Sequence, residues 1–168
     1  MTRELYLLRH AKSDRSLEIE DFDRPLKKRG KRNAEQIGVY LQQHHLLPDL
    51  ILSSPAKRAI STAKRVRTAS NNKNIIIQQD MRLYASSVDC LKMVLSKCPS
   101  HCQRILLVGH NPELEDLLID LVGAKNVPTI NKLLPTAALA RLTMPSDWTQ
   151  LQAQCAELVN IVYARSLP

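Results

Sequence analysis

Glu4-Leu5-Tyr6-Leu7-Leu8 passes directly into Arg9-His10. A short apolar run of this kind reads as a strand buried on both faces, as in the middle of a parallel sheet. The pattern returns twice. Asp49-Leu50-Ile51-Leu52-Ser53 leads into Ser54-Pro55, and Arg104-Ile105-Leu106-Leu107-Val108 leads into Gly109-His110-Asn111-Pro112. Asn74 to Gln79 carries three consecutive isoleucines and is a further strand.

Helical patterns lie between these runs. From about Leu26 to Leu46, the residues Ala34, Ile37, Gly38 and Leu41 make one buried stripe, and Pro48 lies just past its end. Ser54 reads as an N-cap with Pro55 as the first helical residue, opening a helix to about Ser70. A third helix spans roughly Ser87 to Lys97, before Pro99. Asn111-Pro112 repeats the cap-then-proline pattern. Leu114, Leu117, Leu118, Leu121 and Val122 then form an apolar face that Gly123 closes. Residues 11–25 are polar and acidic without a period and read as a loop. Ala137 to Thr143 and Leu158 to Ala164 read as final strands, and residues 145–157 carry no decisive pattern. Strands alternating with helices predict an α/β fold of three layers, with a mostly parallel sheet and helices on both faces. A chain of 168 residues fits one compact domain, 1–168.

Composition narrows the class of function. The chain is 44% hydrophobic and 24% charged, which excludes wholesale disorder. No apolar run reaches a membrane span, and Leu5–Leu8 is too short for a signal-peptide core, so the expected setting is the cytoplasm, away from membranes. Cys90, Cys98, Cys102 and Cys155 form no CxxC pair, so free thiols and no metal site are expected. The net charge of +8 is concentrated in Arg24–Arg32 and Lys57–Arg67, which read as solvated helix faces or as an anion-attracting surface. One Phe, one Trp and four Tyr offer little platform for stacked bases, which argues against nucleic acid.

In a parallel sheet, ligands sit beyond the carboxyl ends of the strands. The residues placed there are Arg9-His10, Ser53-Ser54-Pro55 with Arg58, and Gly109-His110-Asn111. Helix N-termini and arginine forks both suit phosphate oxygens, so two arginines and two histidines converging there point to phosphoryl chemistry.

These residues resemble the motifs of the histidine phosphatase superfamily, which includes the phosphoglycerate mutases. Leu8-Arg9-His10 is similar to its phosphate-accepting motif. Ser53-Ser54-Pro55 with Arg58-Ala59 and Thr62-Ala63 is similar to its second-arginine motif, and Val108-Gly109-His110-Asn111 to its late-histidine motif. Asp23-Arg24-Pro25-Leu26 with Gly30, Leu83-Tyr84 and Pro135-Thr136 resemble the SixA branch of small phosphohistidine phosphatases. The resemblance implies a phosphoglycerate mutase-like fold and a metal-independent phosphatase without a cofactor. It makes His10 the nucleophile, forming a phosphohistidine intermediate. Arg9, Arg58, His110 and the backbone N–H of Asn111 would hold the phosphoryl oxygens.

Two departures stand out. Ala11 replaces the usual glycine after the Arg-His pair. The segment between Ser70 and Arg104 is also too short for the insertion that carries a general acid in larger branches, and Leu83-Tyr84-Ala85-Ser86 stands where an acid is expected. Glu113 is the best local acid, although a carboxylate there also complements a helix N-terminus; Asp80 and Asp14 are weaker. A site without a dedicated acid suits phosphohistidine better than alkyl phosphates. An open crevice with Lys12, Lys57 and the Arg24–Arg32 cluster at its rim suits a phosphorylated protein partner. A small-molecule phosphomonoesterase with the same mechanism, and a basic binding module with a silent site, remain alternatives.

Overall fold

The computed structural model describes residues 2–168. One six-stranded sheet organises it. The strands are β1 (Arg3–Arg9), β2 (Leu50–Ser53), β3 (Ile76–Gln79), β4 (Arg104–Gly109), β5 (Ala138–Met144) and β6 (Glu157–Tyr163), in the order β3-β2-β4-β1-β5-β6. The first four strands are mutually parallel, and β5 runs antiparallel to both β1 and β6. Helices α1 (Lys28–Gln43), α2 (Lys57–Ala69), α3 (Val88–Ser96) and α4 (Glu113–Val122) cover the two faces.

The apolar strands explain the three layers. Successive side chains on a strand point to opposite faces. Leu5 and Leu7 of β1 join Ile105 and Leu107 of β4 in a core with α3 and α4. Tyr6 and Leu8 join Leu106 and Val108 in a second core, with α1 and α2. A central strand serving two cores cannot spare polar positions, so the runs are continuous rather than alternating. Strand β3 lies at an edge, and its Ile76 is exposed.

Several boundaries differ from the sequence expectation for identifiable reasons. Helix α1 starts at Lys28 rather than near Leu26, because Leu26 pairs with Ser13 in an isolated antiparallel bridge. It ends before Pro48 is reached. His45 takes a left-handed conformation with φ of 55°, and Leu46 N–H donates back to Leu41 O at 2.8 Å, a Schellman turn. Ser54-Pro55 does not cap α2; Ala56 holds that position and helix starts at Lys57. Asn111-Pro112 does not cap α4 through the Asn side chain, which donates to Glu115 Oε2 and Leu134 O instead. Gly123 does the expected work and ends α4 at φ of 90°, while Ser87 caps α3, its Oγ accepting from Cys90 N–H. Residues 145–156 form turns that bury Trp148, whose indole N–H donates to Cys102 O at 2.8 Å. The four cysteines are free thiols. Among the described residues no helix is long and apolar enough to cross a membrane.

Glycines permit two close approaches that position the site. A Cβ on Gly30 would strike the Lys12 carbonyl, so this glycine lets the first turn of α1 rest on the chain just after His10. A Cβ on Gly38 would lie 2.5 Å from Val66 O and 2.8 Å from Ala69 Cβ, where α1 crosses α2. Gly38→Ala is therefore expected to destabilise the protein by about 1–3 kcal/mol, the usual cost of overpacking, as read by urea unfolding. A neutral or stabilising result would mean that the α1–α2 contact is loose.

Candidate functional site

The carboxyl ends of β1, β2 and β4 meet in register, Arg9 opposite Gly109 and Ser53 opposite Val108. His10 and His110, each the first residue beyond its strand, are therefore brought side by side. Their ring centroids are 5.2 Å apart, and both are buried. Arg58 reaches them from the first turn of α2 and is itself only 6% exposed.

Their partners assign the histidine tautomers. His10 Nδ1 lies 2.8 Å from the carbonyl oxygen of Ala11, which can only accept, so the proton sits on Nδ1. Nε2 then presents a lone pair, toward which Arg58 Nε donates at 3.4 Å. His110 is the converse. Arg58 Nη2 faces its Nδ1 at 3.4 Å, and its Nε2–H donates to Ser54 Oγ at 2.8 Å. Ser54 Oγ also accepts from Ala56 N–H at 3.2 Å, which explains why it is not the helix cap. Burial is the largest cause holding both rings neutral, aided by the charges of Arg58 and Arg9. His10 is pushed down to about 3 and His110 to about 4.

Arg58 uses two edges of its guanidinium. The Nε–Nη2 edge faces the two histidines. The Nη1–Nη2 edge is gripped by Asp21, whose backbone carbonyl accepts from Nη1 at 2.6 Å and whose Oδ2 accepts from Nη2 at 3.0 Å. Asp21 also accepts from Tyr84 OH at 2.7 Å and pairs with Arg24 at 3.1 Å. The Tyr84 hydrogen bond is the largest cause holding its carboxyl below the usual range. The Tyr84 ring packs edge-on to His110 at 5.5 Å, and Phe22 packs edge-on to Tyr84 at 5.2 Å. Thr62, one turn after Arg58, donates to Arg58 O at 2.7 Å and accepts from Ala11 N–H at 3.0 Å. It ties α2 to the residue after His10.

Four of the expected site residues thus gather at one crevice: His10, Arg58 and His110 in contact, and Arg9 beside them. Arg9 makes no hydrogen bond to the other three. Its Nη1 donates to Leu134 O at 3.2 Å, and its charge is near enough to depress both histidines. The Asn111 side chain is a clasp between α4 and the 134 segment, and Glu115 completes it by accepting from Leu134 N–H at 2.8 Å. Glu113 opens α4 half-buried and takes no part in the hydrogen bonds of the crevice. Asp80 is occupied by Arg82, and Asp14 by Ser16.

Asp21 was not apparent from the sequence, since it lies in a stretch without a period. Thr62 was legible in the sequence only through the resemblance to the second-arginine motif; its place one turn after Arg58 puts both on one helix face.

The sequence profile of the histidine phosphatase superfamily (branch 1) matches residues 5–85, which include His10, Asp21, Arg58 and Tyr84. The chain belongs to the histidine phosphatase superfamily. Within this superfamily it is SixA-like in fold. A candidate phosphohistidine phosphatase SixA from Agrobacterium tumefaciens superposes with a TM-score of 0.80 at 29% identity, covering 96% of this chain and 98% of that one. A protein histidine phosphatase SixA solved with tungstate has a TM-score of 0.79 at 18% identity, a likeness of fold, over 96% of this chain and 97% of that one. An uncharacterised protein of Mycobacterium tuberculosis is 29% identical over 158 residues, 91% of this chain and 97% of the relative.

Two predictions follow from this superfamily site. Asp21 is itself half-exposed, but its carboxylate both aims and matches the buried Arg58, so its loss should cost some stability as well as alignment. Asp21→Ala is expected to lower kcat by about tenfold or more through misplacement of the guanidinium. The added positive charge should leave orthophosphate inhibition equal or stronger, and Asp21→Glu should recover part of kcat. A parallel fall in kcat and phosphate affinity would instead assign Asp21 to the fold of its loop. The second prediction concerns pH. An unfolded chain protonates these histidines near 6.5 and the folded one only near 4 and 3, so stability falls as pH drops from 6.5 toward 4. In ring NMR spectra neither His10 nor His110 should titrate between about pH 5 and 8. A midpoint inside that range for either ring would overturn the assignment of buried, neutral imidazoles.

Proposed function

We propose that the protein is a metal-independent phosphatase that removes the phosphoryl group from phosphohistidine in cytoplasmic proteins, through a phosphohistidine formed on its own His10. The observation that carries this reading is the orientation of His10. Nδ1 is tied to the Ala11 carbonyl, and the Nε2 lone pair faces Arg58 within a buried crevice. A neutral imidazole with its free nitrogen held beside a guanidinium is an activated nucleophile for phosphorus.

In the first step the Nε2 lone pair attacks phosphorus. The bond from phosphorus to the substrate imidazole breaks, and its electron pair stays on the leaving nitrogen; the ring's other nitrogen carries a proton taken from solvent, so it departs as neutral imidazole. The Nε–Nη2 edge of Arg58, together with Arg9 and the Asn111 backbone N–H, holds the phosphoryl oxygens as charge redistributes. His110 adds a neutral ring beside them. These groups supply the positive charge that a metal ion otherwise brings. In the second step water attacks the phosphorus on His10, the bond to Nε2 breaks, its electron pair returns to the ring, and orthophosphate leaves with the remaining proton passing to solvent.

The substrate class follows from the carboxylates. Asp21 accepts from Arg58, Arg24 and Tyr84 and is held ionised, so it does not supply a proton at neutral pH. Glu113 takes no part in the hydrogen bonds of the crevice. An alkoxide leaving group without an acid reacts more slowly by about 10²–10⁴-fold, whereas imidazole leaves readily. The likeness to the Agrobacterium SixA chain supports the same substrate class. Exposed Lys57, next to Arg58 at the start of α2, suits an acidic protein surface.

The experiment is phosphate release from a protein carrying phosphohistidine, with metals chelated. The wild type is expected to release phosphate, His10→Ala to release none, and Glu113→Gln to match the wild type. Turnover of p-nitrophenyl phosphate without release from the phosphoprotein would move the substrate to small molecules. A loss in Glu113→Gln confined to alkyl phosphates would make Glu113 the proton donor.

A further inference from the structure

Beside the histidine crevice lies a separate cavity of about 220 Å³, at the same carboxyl end of β1. Five cations line it, Arg9, Lys12, Arg29, Lys132 and Arg165, and no carboxylate does. Asn33 and Thr136 add polar groups to its wall. None of the five cations belongs to an ion pair among the described residues. Some cations elsewhere are paired. Glu4 takes Arg104 and Arg141, Asp80 takes Arg82, and Glu35 takes Arg65. What sets the cavity apart is that five cations share one concave space with no carboxylate in its lining.

Like charges gathered in a concave space raise the potential there and attract an anion. The cavity is far smaller than a protein groove. At roughly 30 Å³ per water, it has room for one tetrahedral oxyanion and a few waters. Its lining comes from four separate parts of the fold: the end of β1, the first turn of α1, the segment before β5, and the turn after β6. Arg165 is supported by stacking over the Tyr163 ring at 5.6 Å. Arg9 joins the two sites. It lines this cavity and stands beside His10, and its Nε is buried without a hydrogen-bond partner.

We propose that this cavity binds a second phosphate group of the same substrate whose transferred phosphoryl group docks at His10. The proposal rests on the reading of the His10 crevice as the phosphoryl-accepting site. It narrows the substrate to one with two phosphate groups close together, one read by Arg58 and the histidines, the other by Arg29, Lys132 and Arg165, with Arg9 between them.

The test is a binding titration that needs no turnover, so it is independent of the phosphohistidine assay. His10→Ala protein is titrated by calorimetry with orthophosphate and, separately, with magnesium-free tripolyphosphate, which spans two adjacent sites. Tripolyphosphate is expected to bind at least about tenfold more tightly than orthophosphate, the effect of one added charge-assisted contact. Adding Arg29→Ala and Arg165→Ala, both at exposed positions, should remove that margin and leave orthophosphate binding unchanged. Adding Lys73→Ala and Lys97→Ala instead removes the same charge from the opposite end of the sheet and should keep the margin. An equal margin in both double variants, or none in the parent, would overturn the proposal. Loss of orthophosphate binding alone on removing Arg29 and Arg165 would also overturn it, since the cavity would then take a free anion. A margin that behaves as expected, with no release from a phosphohistidine protein, would keep the second site and reject the protein substrate.

Discussion

Arg58 is a charged side chain with almost all of its surface withdrawn from water. Such a group is stable only when its donors are matched, and the matches here come from distant parts of the chain. One edge meets Asp21, in the loop after β1. The other meets His10 and His110, at the ends of two parallel strands. Because the guanidinium is planar and rigid, fixing one edge aims the other. The crevice can therefore be shaped by a short turn around Asp21, without a large lid. Thr62 secures the opposite side, joining Arg58's own carbonyl to the residue after His10.

The sheet makes this arrangement possible at a distance. Strand β4 lies between β2 and β1, so the ends of all three open on one crevice. The two cores hold those ends firmly, since the apolar side chains of the central strands are committed to one face or the other. A register slip of one residue would exchange the two cores and turn the chain beyond each strand. Burial thus acts on the chemistry twice. It fixes where His10 and His110 stand, and it removes the water that would otherwise let them take a proton near neutrality.

Much of this was legible in the sequence because it depends on local pattern. Continuous apolar runs marked the parallel strands, and the stripe at Ala34, Ile37, Gly38 and Leu41 marked α1. Polar residues at strand ends, read together, marked His10, Arg58 and His110. What escaped depends on contacts between segments far apart in the chain. Ser54 has the chemistry of a cap, but the proximity of His110 gives its hydroxyl another partner. Asn111 has the same chemistry, and Glu115 and Leu134 draw its amide elsewhere. Asp21 sits in a stretch without periodicity, and only folding shows that it meets Arg58 and Tyr84. Helix ends were legible to within a few residues, except that a histidine rather than a proline or glycine closes α1.

The distribution of carboxylates separates the two basic regions at the end of β1. In the crevice, Asp21 offsets Arg58 and Arg24, so the field at His110 is that of three cations moderated by one anion. No carboxylate lines the neighbouring cavity. A phosphoryl dianion in the crevice would meet a fork already oriented and two neutral rings, and its charge would oppose the field that Arg9 and Arg58 impose on His110. The crevice is thus arranged for geometry, with its charge partly balanced in advance, while the cavity offers charge with little imposed orientation. Orientation is what an in-line displacement requires, and unmoderated charge is what capture of a second anion requires. Arg9 is the one side chain placed to serve both.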